Sequence, residues 1–395
     1  MDRNNFDIKL NQLFDQNSLL VNRRNRVQQH GNGIYDRYEF PVLTRDHIPV
    51  FWQYDLNFET NPHLMMRLGI NTTFNAGAIK LNKKYLMITR IEGFDAKSFF
   101  AVAESPNGID RWKFRDRPII MPLTGNPENN LYDIRLTQHE DGWIYGLFCA
   151  DRKSQNNLED TSLPAASCGI ARTRDLVNWE RLEDLKSSDL QQRNCVLHPE
   201  FVSGKYMIYT SPLKSFTGPD DSCICAGFTG SMKNAVIEGQ LMVDRRESHI
   251  KNGQGPAPIK TPVGWLHLAH GFRRTRTGLR FTLYLFLTDL IEPWKVINRP
   301  GGHFIEPIGE ERLVEPQNVS FSNGWILDPN GTVFVYYTSS DARMQVATTT
   351  LEKLIDYVLH TPEDPGMTQL YVDQRDELIV NNLRVLKQHY PDIRY

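Results

Sequence analysis

Cysteine is scarce: five residues in 395, at positions 149, 168, 195, 223 and 225. An odd number without a spaced framework excludes a small disulfide-stapled secreted fold. Cys223-Ile224-Cys225 is too little for a zinc site and reads as a strand with two small apolar residues on one face. Long hydrophobic runs are missing as well; no window approaches the ~18 apolar residues of a membrane span. The opening Met1-Asp2-Arg3-Asn4-Asn5 leads to no apolar h-region, so no secretory leader is expected and the chain reads as cytoplasmic. Nor is there an excess of one charge. Forty-five basic against 47 acidic residues leave a formal net charge of −2, which argues against nucleic acid or an anionic membrane as partner.

What the sequence does contain is a repeat. A turn followed by an apolar strand occurs at Lys84-Tyr85-Leu86-Met87, Gly142-Trp143-Ile144-Tyr145 and Gly204-Lys205-Tyr206-Met207. It returns at Gly264-Trp265-Leu266-His267 and Gly331-Thr332-Val333-Phe334. The second turn residues, 84, 143, 205, 265 and 332, are separated by 59, 62, 60 and 67 positions. A second apolar strand follows each time, among them Phe99–Ala103, Gly169–Ala171 and Phe281–Leu285. Three units then reach a tryptophan: Trp112, Trp179 and Trp294. Turn, strand, turn, strand and tryptophan at a near-constant period is the mark of a propeller blade. Five occurrences predict an all-β, five-bladed β-propeller; a β-sandwich needs no such period.

Helical spacing appears only outside the repeats. Phe6, Leu10, Leu13 and Phe14 predict an N-terminal helix over about 5–20. Leu351, Leu354, Ile355 and Val358, then Leu378, Ile379, Leu383 and Leu386, predict C-terminal helices over about 350–390, with Pro362 and Pro365 between them. The expectation is one propeller domain over residues 1–395. Its terminal helices either pack under the propeller or make an oligomer contact, and a homo-oligomer is expected.

The chemistry is expected around Asn129-Asn130-Leu131-Tyr132-Asp133-Ile134-Arg135-Leu136-Thr137. Gly142–Ala150 reads as a buried strand, which sets Asp133 just ahead of it, near the rim of a β-scaffold. An aspartate in this position either caps a turn, pairs with Arg135, or does acid–base work. His267 and His270 are three apart; on a strand they face opposite ways and suggest no metal.

Several segments together resemble glycoside hydrolase family 130, the β-mannoside phosphorylases. They are Phe74-Asn75-Ala76-Gly77-Ala78-Ile79, Arg90-Ile91-Glu92-Gly93, Ala103-Glu104-Ser105-Pro106-Asn107-Gly108 and Tyr132–Thr137. Arg193-Asn194-Cys195-Val196-Leu197-His198-Pro199-Glu200, Gly253-Gln254-Gly255-Pro256, Gly264–Leu266 to His270-Gly271, and Ser339-Ser340-Asp341 complete the set. The likeness runs from about residue 30 to 360 and is nearest to the members acting on β-mannosyl-(1→4)-glucose. It implies a five-bladed propeller and an inverting phosphorylase that uses inorganic phosphate to release α-mannose 1-phosphate and free sugar. Phosphate is then a co-substrate, and no cofactor is implied.

The resemblance also implies roles. Asp133 matches the family's general acid, which acts through the sugar 3-hydroxyl. A phosphorylase needs one such acid and a cationic cradle, because phosphate is already an anionic nucleophile, whereas an inverting hydrolase needs two carboxylates. The acid is expected to be held protonated by burial or by bound phosphate. Arg193, Lys251 and His270 match the cradle. Asn75 and Asp341 match contacts to the mannosyl unit, and Arg90 is expected on the acceptor side. Asp55 and Arg67, beside Trp52 and Tyr54, are further candidates for sugar contact, or else a salt bridge across the first blade.

One position departs from the pattern. Where the family carries a second phosphate arginine, eighteen residues after the first, this chain reads Tyr209-Thr210-Ser211-Pro212. Lys214 is the candidate substitute. The loss keeps two alternatives open: a β-mannoside hydrolase, with Glu200 or Glu315 as its base, and a propeller that binds glycan without catalysis.

Overall fold

The computed structural model describes residues 1–28, 31–125, 128–152, 165–188, 191–213, 223–246, 251–275, 278–312, 317–318 and 320–393. Their strands form five sheets arranged as blades, antiparallel but for the appended Gln317–Asn318, and apart from these Lys186–Ser187 pairs in parallel with Val236–Ile237. Blade 1 runs outward from Ile70–Leu81 through Lys84–Gly93 and Ser98–Ser105 to Lys113–Phe114. Blade 2 is Asn130–Gln138, Ile144–Arg152, Ala165–Thr173 and Glu180–Arg181. Blade 3 is Gln191–Leu197, Tyr206–Leu213, Ile224–Thr229 and Gln240–Asp244. Blade 4 is Lys251–Gln254, Gly264–Thr275, Gly278–Thr288 and Val296–Asn298, with short strands Ile259–Thr261 and Gln317–Asn318 appended.

Blade 5 closes the ring. Its strands Ser320–Leu327, Thr332–Ser339 and Arg343–Thr350 are completed on the outside by Asp36–Arg37, which pair with Thr348 and Ala347. First and last blades are thus sewn together by the chain's own beginning. Arg37 locks the seam from inside, donating to Glu311 Oε2 over 2.8 Å and to the Tyr337 hydroxyl over 3.2 Å.

The five apolar clusters of the core are the five gaps between blades. Ala78, Met87 and Trp112 meet Ile326, Phe334 and Tyr336 between blades 1 and 5. Ile88 and Phe100 meet Ile134 and Phe148 between blades 1 and 2, and the other three gaps are filled likewise. Side chains alternate across a strand, so each blade must be apolar on both faces. In Ile144–Ala150, all buried, Ile144, Phe148 and Ala150 enter the gap toward blade 1 and Tyr145 and Leu147 the gap toward blade 3. Trp112, Trp179 and Trp294 each wedge into the gap facing the preceding blade.

The helices lie outside this ring. Arg3–Val21 is anchored by Phe6 and Val21. Leu351–His360 packs Leu354 and Val358 into the gap between blades 4 and 5. Thr368–His389 follows it. Among the described residues, no helix is long and apolar enough to cross a membrane.

Candidate active site

The innermost strands of blades 1 to 4 carry Asn75, Asp133, Arg193 and Lys251, while Arg90 and His270 lie on second strands and Asp341 in a connection; four of the five innermost strands break register at a corresponding place. Against the second strand of the blade, pairing shifts between Phe74 and Gly77, Tyr132 and Arg135, Arg193 and Val196, and Phe321 and Gly324. The first extra residue of each bulge is Asn75, Asp133, Asn194 and Ser322. Asn75, Asp133 and Asn194 have φ of 48°, 59° and 53°, a left-handed conformation that Asn and Asp tolerate better than other non-glycine residues. A bulge re-aims a side chain out of the alternating pattern. Gly77 lets the neighbouring strand come close here, since a Cβ would stand 2.7 Å from the Ile134 carbonyl oxygen.

Asp133 comes ahead of the Ile144–Arg152 strand, as its place in the sequence suggested. It lies within the innermost strand of blade 2, which the repeat pattern did not contain. Its Oδ1 accepts from Asn75 Nδ2 at 2.9 Å and stands 3.6 Å from Arg90 Nη1. Asn75 is fixed in turn by Thr338, whose hydroxyl accepts from the Asn75 backbone amide at 2.8 Å and donates to its Oδ1 at 2.7 Å. Arg90 is held between the rings of Phe74 and Tyr132 and bonds Glu92 at 2.9 Å and Ser98 at 2.9 Å.

Asp341 sits in the tight connection of blade 5, where Thr72 Oγ1 donates to its backbone oxygen at 3.2 Å. Although Asp341 keeps more than a third of its surface exposed, desolvation by the surrounding walls pushes its carboxyl up to about 6, and the negative charge of Asp133 adds to this while Arg90 opposes it. Two carboxyls thus share one corner of the site, one of them inclined to keep its proton.

On the other side of Asp133, Arg135 is a fully buried guanidinium. It donates to the Asp133 carbonyl at 3.1 Å, to Gly255 O at 3.0 Å and to Asn194 Oδ1 at 2.8 Å, tying blades 2, 3 and 4 together. Burial lowers its pKa, an effect its acidic neighbours only partly offset. His270 lies across Gly253, where an added Cβ would stand 2.5 Å from its Nε2 and 2.7 Å from Asn194 Nδ2. Its ring packs on Phe321. Lys251 opens the innermost strand of blade 4; burial lowers its pKa, and the positive charge of Arg193 lowers it further. Arg193 also reaches the Tyr132–Asp151 pair, whose hydrogen bond is 2.9 Å. The structure thus brings Asp133, Asn75, Arg90 and Asp341 together, with Arg193, Lys251 and His270 on the next two blades.

Ser211 is buried on the second strand of blade 3, directly opposite Arg193, and its hydroxyl donates to Asn252 O at 3.4 Å. The missing arginine would have stood between Arg193 and the strand of Lys251. Lys214 and Glu315 lie outside the described residues. Glu200 sits beyond the far end of the blade 3 innermost strand, paired with Lys260 at 2.7 Å. Asp55 and Arg67 belong to the segment before blade 1. Asp55 caps a turn through Asn57 N at 3.0 Å and the Thr60 hydroxyl, and Arg67 donates to Thr60 O at 3.2 Å. Asn194 and Asp151 had no assigned part in the sequence reading, and Arg135 entered it only as a possible partner of Asp133, whose carbonyl it bonds. The signal for Asn194 was present: Phe-Asn-Ala, Tyr-Asp-Ile and Arg-Asn-Cys recur at the same place in three blades.

Comparison with known proteins agrees with this fold. The chain is 52% identical over 389 residues to 4-O-beta-D-mannosyl-D-glucose phosphorylase of Bacteroides fragilis, covering 97% of this chain and 99% of that protein. It is 31% identical over 169 residues to beta-1,4-mannooligosaccharide phosphorylase of Ruminococcus albus, covering 42% of this chain and 50% of that protein. Beta-1,2-mannobiose phosphorylase from Listeria innocua, solved with beta-1,2-mannobiose, shares the fold at a TM-score of 0.65 and 18% identity, over 82% of this chain and 98% of that one. The model of glycoside hydrolase family 130, described as beta-1,4-mannooligosaccharide phosphorylase, matches residues 45–360. The chain belongs to glycoside hydrolase family 130.

Proposed function

We propose that this protein is an inverting β-mannoside phosphorylase whose substrate is β-mannosyl-(1→4)-glucose. Inorganic phosphate attacks the anomeric carbon of the mannosyl unit from the face opposite the leaving sugar. The bond from that carbon to the glucose oxygen breaks, a carbon–oxygen bond to phosphate forms, and the products are α-mannose 1-phosphate and glucose. Asp133 supplies the proton, through the mannosyl 3-hydroxyl, to the departing oxygen. Asn75 and Asp341 hold the mannosyl unit, and Arg90 faces the glucose. Arg193, Lys251 and His270 hold phosphate, and Lys214 makes up part of the charge missing at Ser211. No cofactor enters the reaction. The enzyme works in the cytoplasm as a homo-oligomer.

The observation that carries this reading is the cationic side built on blades 3 and 4 beside the Asp133 bulge of blade 2. A cradle of that sign suits an anionic nucleophile. The hydrolytic alternative needs a base about 6.5–9.5 Å from the acid. Glu200 is six residues past Asn194 along the chain, neutralised by Lys260, and is poorly suited to that part. Incubation with β-mannosyl-(1→4)-glucose, with and without phosphate, tests the reading. Mannose 1-phosphate and glucose are expected only with phosphate. Phosphate-independent release of mannose would establish the hydrolase, and no turnover in either case would leave a binding propeller.

A further inference from the structure

Tyr132 is the last residue of the blade 2 innermost strand to keep its pairing before the Asp133 bulge, opposite Cys149. Its side chain reaches diagonally, two residues past that partner, and its hydroxyl donates to Asp151 Oδ1 over 2.9 Å. Diagonal neighbours on one face of an antiparallel pair lie within reach of an aromatic side chain. Burial raises the pKa of the Tyr132 hydroxyl, so it keeps its proton and donates; the group opposite it has to accept. Asp151 is well anchored for that part. Its backbone oxygen accepts from Asn129 N at 2.8 Å, and the next side chain, Arg152, turned to the other face, bonds Glu128 at 2.9 Å.

The ring of Tyr132 is a platform. The Arg90 guanidinium lies 4.9 Å from its centroid and 4.5 Å from that of Phe74, and comes within 3.6 Å of Asp133 Oδ1. Phe74 is held by burial, whereas Tyr132 is half-buried, so the hydrogen bond at its far end is what fixes its ring. A cation held against an aromatic face follows that face. Three contacts therefore run in series from Asp151 to the acid: Asp151 to Tyr132, Tyr132 to Arg90, and Arg90 to Asp133. Burial raises the Asp151 carboxyl, while the Tyr132 bond and the positive charges of Arg193 and Arg90 pull against that and the charge of Asp133 adds to it. A negative charge beside Arg193 works against an anionic ligand there, so Asp151 is not itself part of the phosphate cradle. Its use lies on the side of Tyr132.

We propose that Asp151 is a positioning residue for the acceptor side of the site: accepting from Tyr132, it fixes the ring that carries Arg90, and so sets where the Arg90 guanidinium meets the leaving sugar and Asp133. This rests on the reading of Arg90 as facing the glucose of β-mannosyl-(1→4)-glucose. Steady-state kinetics, varying mannosyl-glucose and phosphate separately, compare D151A, D151N, Y132F and D151A/Y132F with the wild type. D151A and Y132F each break the hydrogen bond, and each should lower kcat/KM for mannosyl-glucose by about tenfold. The combined variant should lose no more than either alone, because both act through one bond. Asparagine keeps an oxygen that accepts from the tyrosine, so D151N should retain most of the wild-type value. Half-saturating phosphate should rise in none of them, and should fall in D151A and D151N, which both remove the charge beside Arg193. Thermal unfolding is followed on each preparation; Y132F keeps the ring and its packing, and decides the matter if D151A does not fold. An unchanged kcat/KM in Y132F and D151A, a loss in D151N equal to that in D151A, or a loss that appears as a rise in half-saturating phosphate would overturn the proposal. Wild-type turnover that does not depend on phosphate would instead count against the phosphorylase reading, whereas phosphate-dependent wild-type turnover with unaltered variants would remove only the part given to Asp151.

Discussion

Asn75 and Asp133 occupy the same bulge position on neighbouring innermost strands, and the Asn75 amide donates to Asp133 Oδ1 over 2.9 Å. The pair is built by repetition. Blades 1, 2 and 3 each offer one residue at this place with a positive φ, and the residue type there sets its use. The Asn75 amide, itself fixed by Thr338, orients the Asp133 carboxyl while leaving its second oxygen for a ligand.

Replacing Asp133 with Asn keeps the shape and the left-handed backbone but removes the acid. General acid catalysis is typically worth ~10²–10⁴-fold, so phosphorolysis should fall by that order while the melting temperature holds. Product release and thermal unfolding of the same preparation check this. A folded variant with most of its turnover would remove Asp133 from its role.

Asn75→Ala and Asn75→Gly separate hydrogen bonding from backbone strain. Both lose the contact to Asp133, and both should lose turnover to a similar extent. Only alanine must hold φ at 48° with a Cβ, a conformation costing roughly 1–2 kcal/mol per residue. Denaturant unfolding should therefore show the alanine variant less stable than the glycine variant, and equal stabilities would contradict the strain.

The raised carboxyl of Asp341 makes a prediction with a definite sign. Its pKa is about 6 in the folded protein against 3.8 ordinarily. Between these values the folded state keeps a proton that the unfolded state has released, so this group's contribution to stability falls as pH climbs from about 4 to 6. Above pH 6 the penalty is complete, and because Asp341 keeps more than a third of its surface in solvent, screening holds it to about 1 kcal/mol or less. Asp341→Asn lacks it. The melting-temperature difference between variant and wild type should therefore grow in the variant's favour from pH 4 to pH 7. A constant difference would mean that Asp341 titrates normally.

Ser211→Arg restores a guanidinium opposite Arg193. A charge-assisted hydrogen bond contributes about 1.5–3 kcal/mol, and each 1.4 kcal/mol is about tenfold in affinity. The phosphate concentration giving half-maximal rate should fall about tenfold or more, and Lys214→Ala in the natural chain should raise it. The two changes should not add, because both groups serve one anion. If neither moves the phosphate dependence, phosphate binds elsewhere.

Arg37→Ala removes one partner of a buried ion pair and leaves Glu311 uncompensated where the ring closes. Such losses typically cost 3–5 kcal/mol, roughly. Urea unfolding should show a loss of that order, with activity per folded molecule little changed, since Arg37 is remote from Asp133 on the outermost strand. An unaffected unfolding midpoint would show that the seam does not depend on this pair.

The sequence by itself determined the blade count. Apolar strands at a period near 60 can be buried on both faces only by repeating radially, and the second and third strands of each blade carry that pattern openly. It also determined which residue types could do the chemistry, through motifs spread over all five blades. Tertiary structure decided the rest. The innermost strands escaped the repeat because bulges break their alternation at Asn75, Asp133 and Asn194, and a bulge is set by pairing with a neighbour, which no local pattern records. Closure by Asp36–Arg37 depends on two residues that meet their partners more than 300 positions later. The desolvation and the charges of Asp133 and Glu92 that raise Asp341 come from blades 1, 2 and 5 converging. Desolvation and charge proximity are properties of position in space, and only the closed ring supplies them.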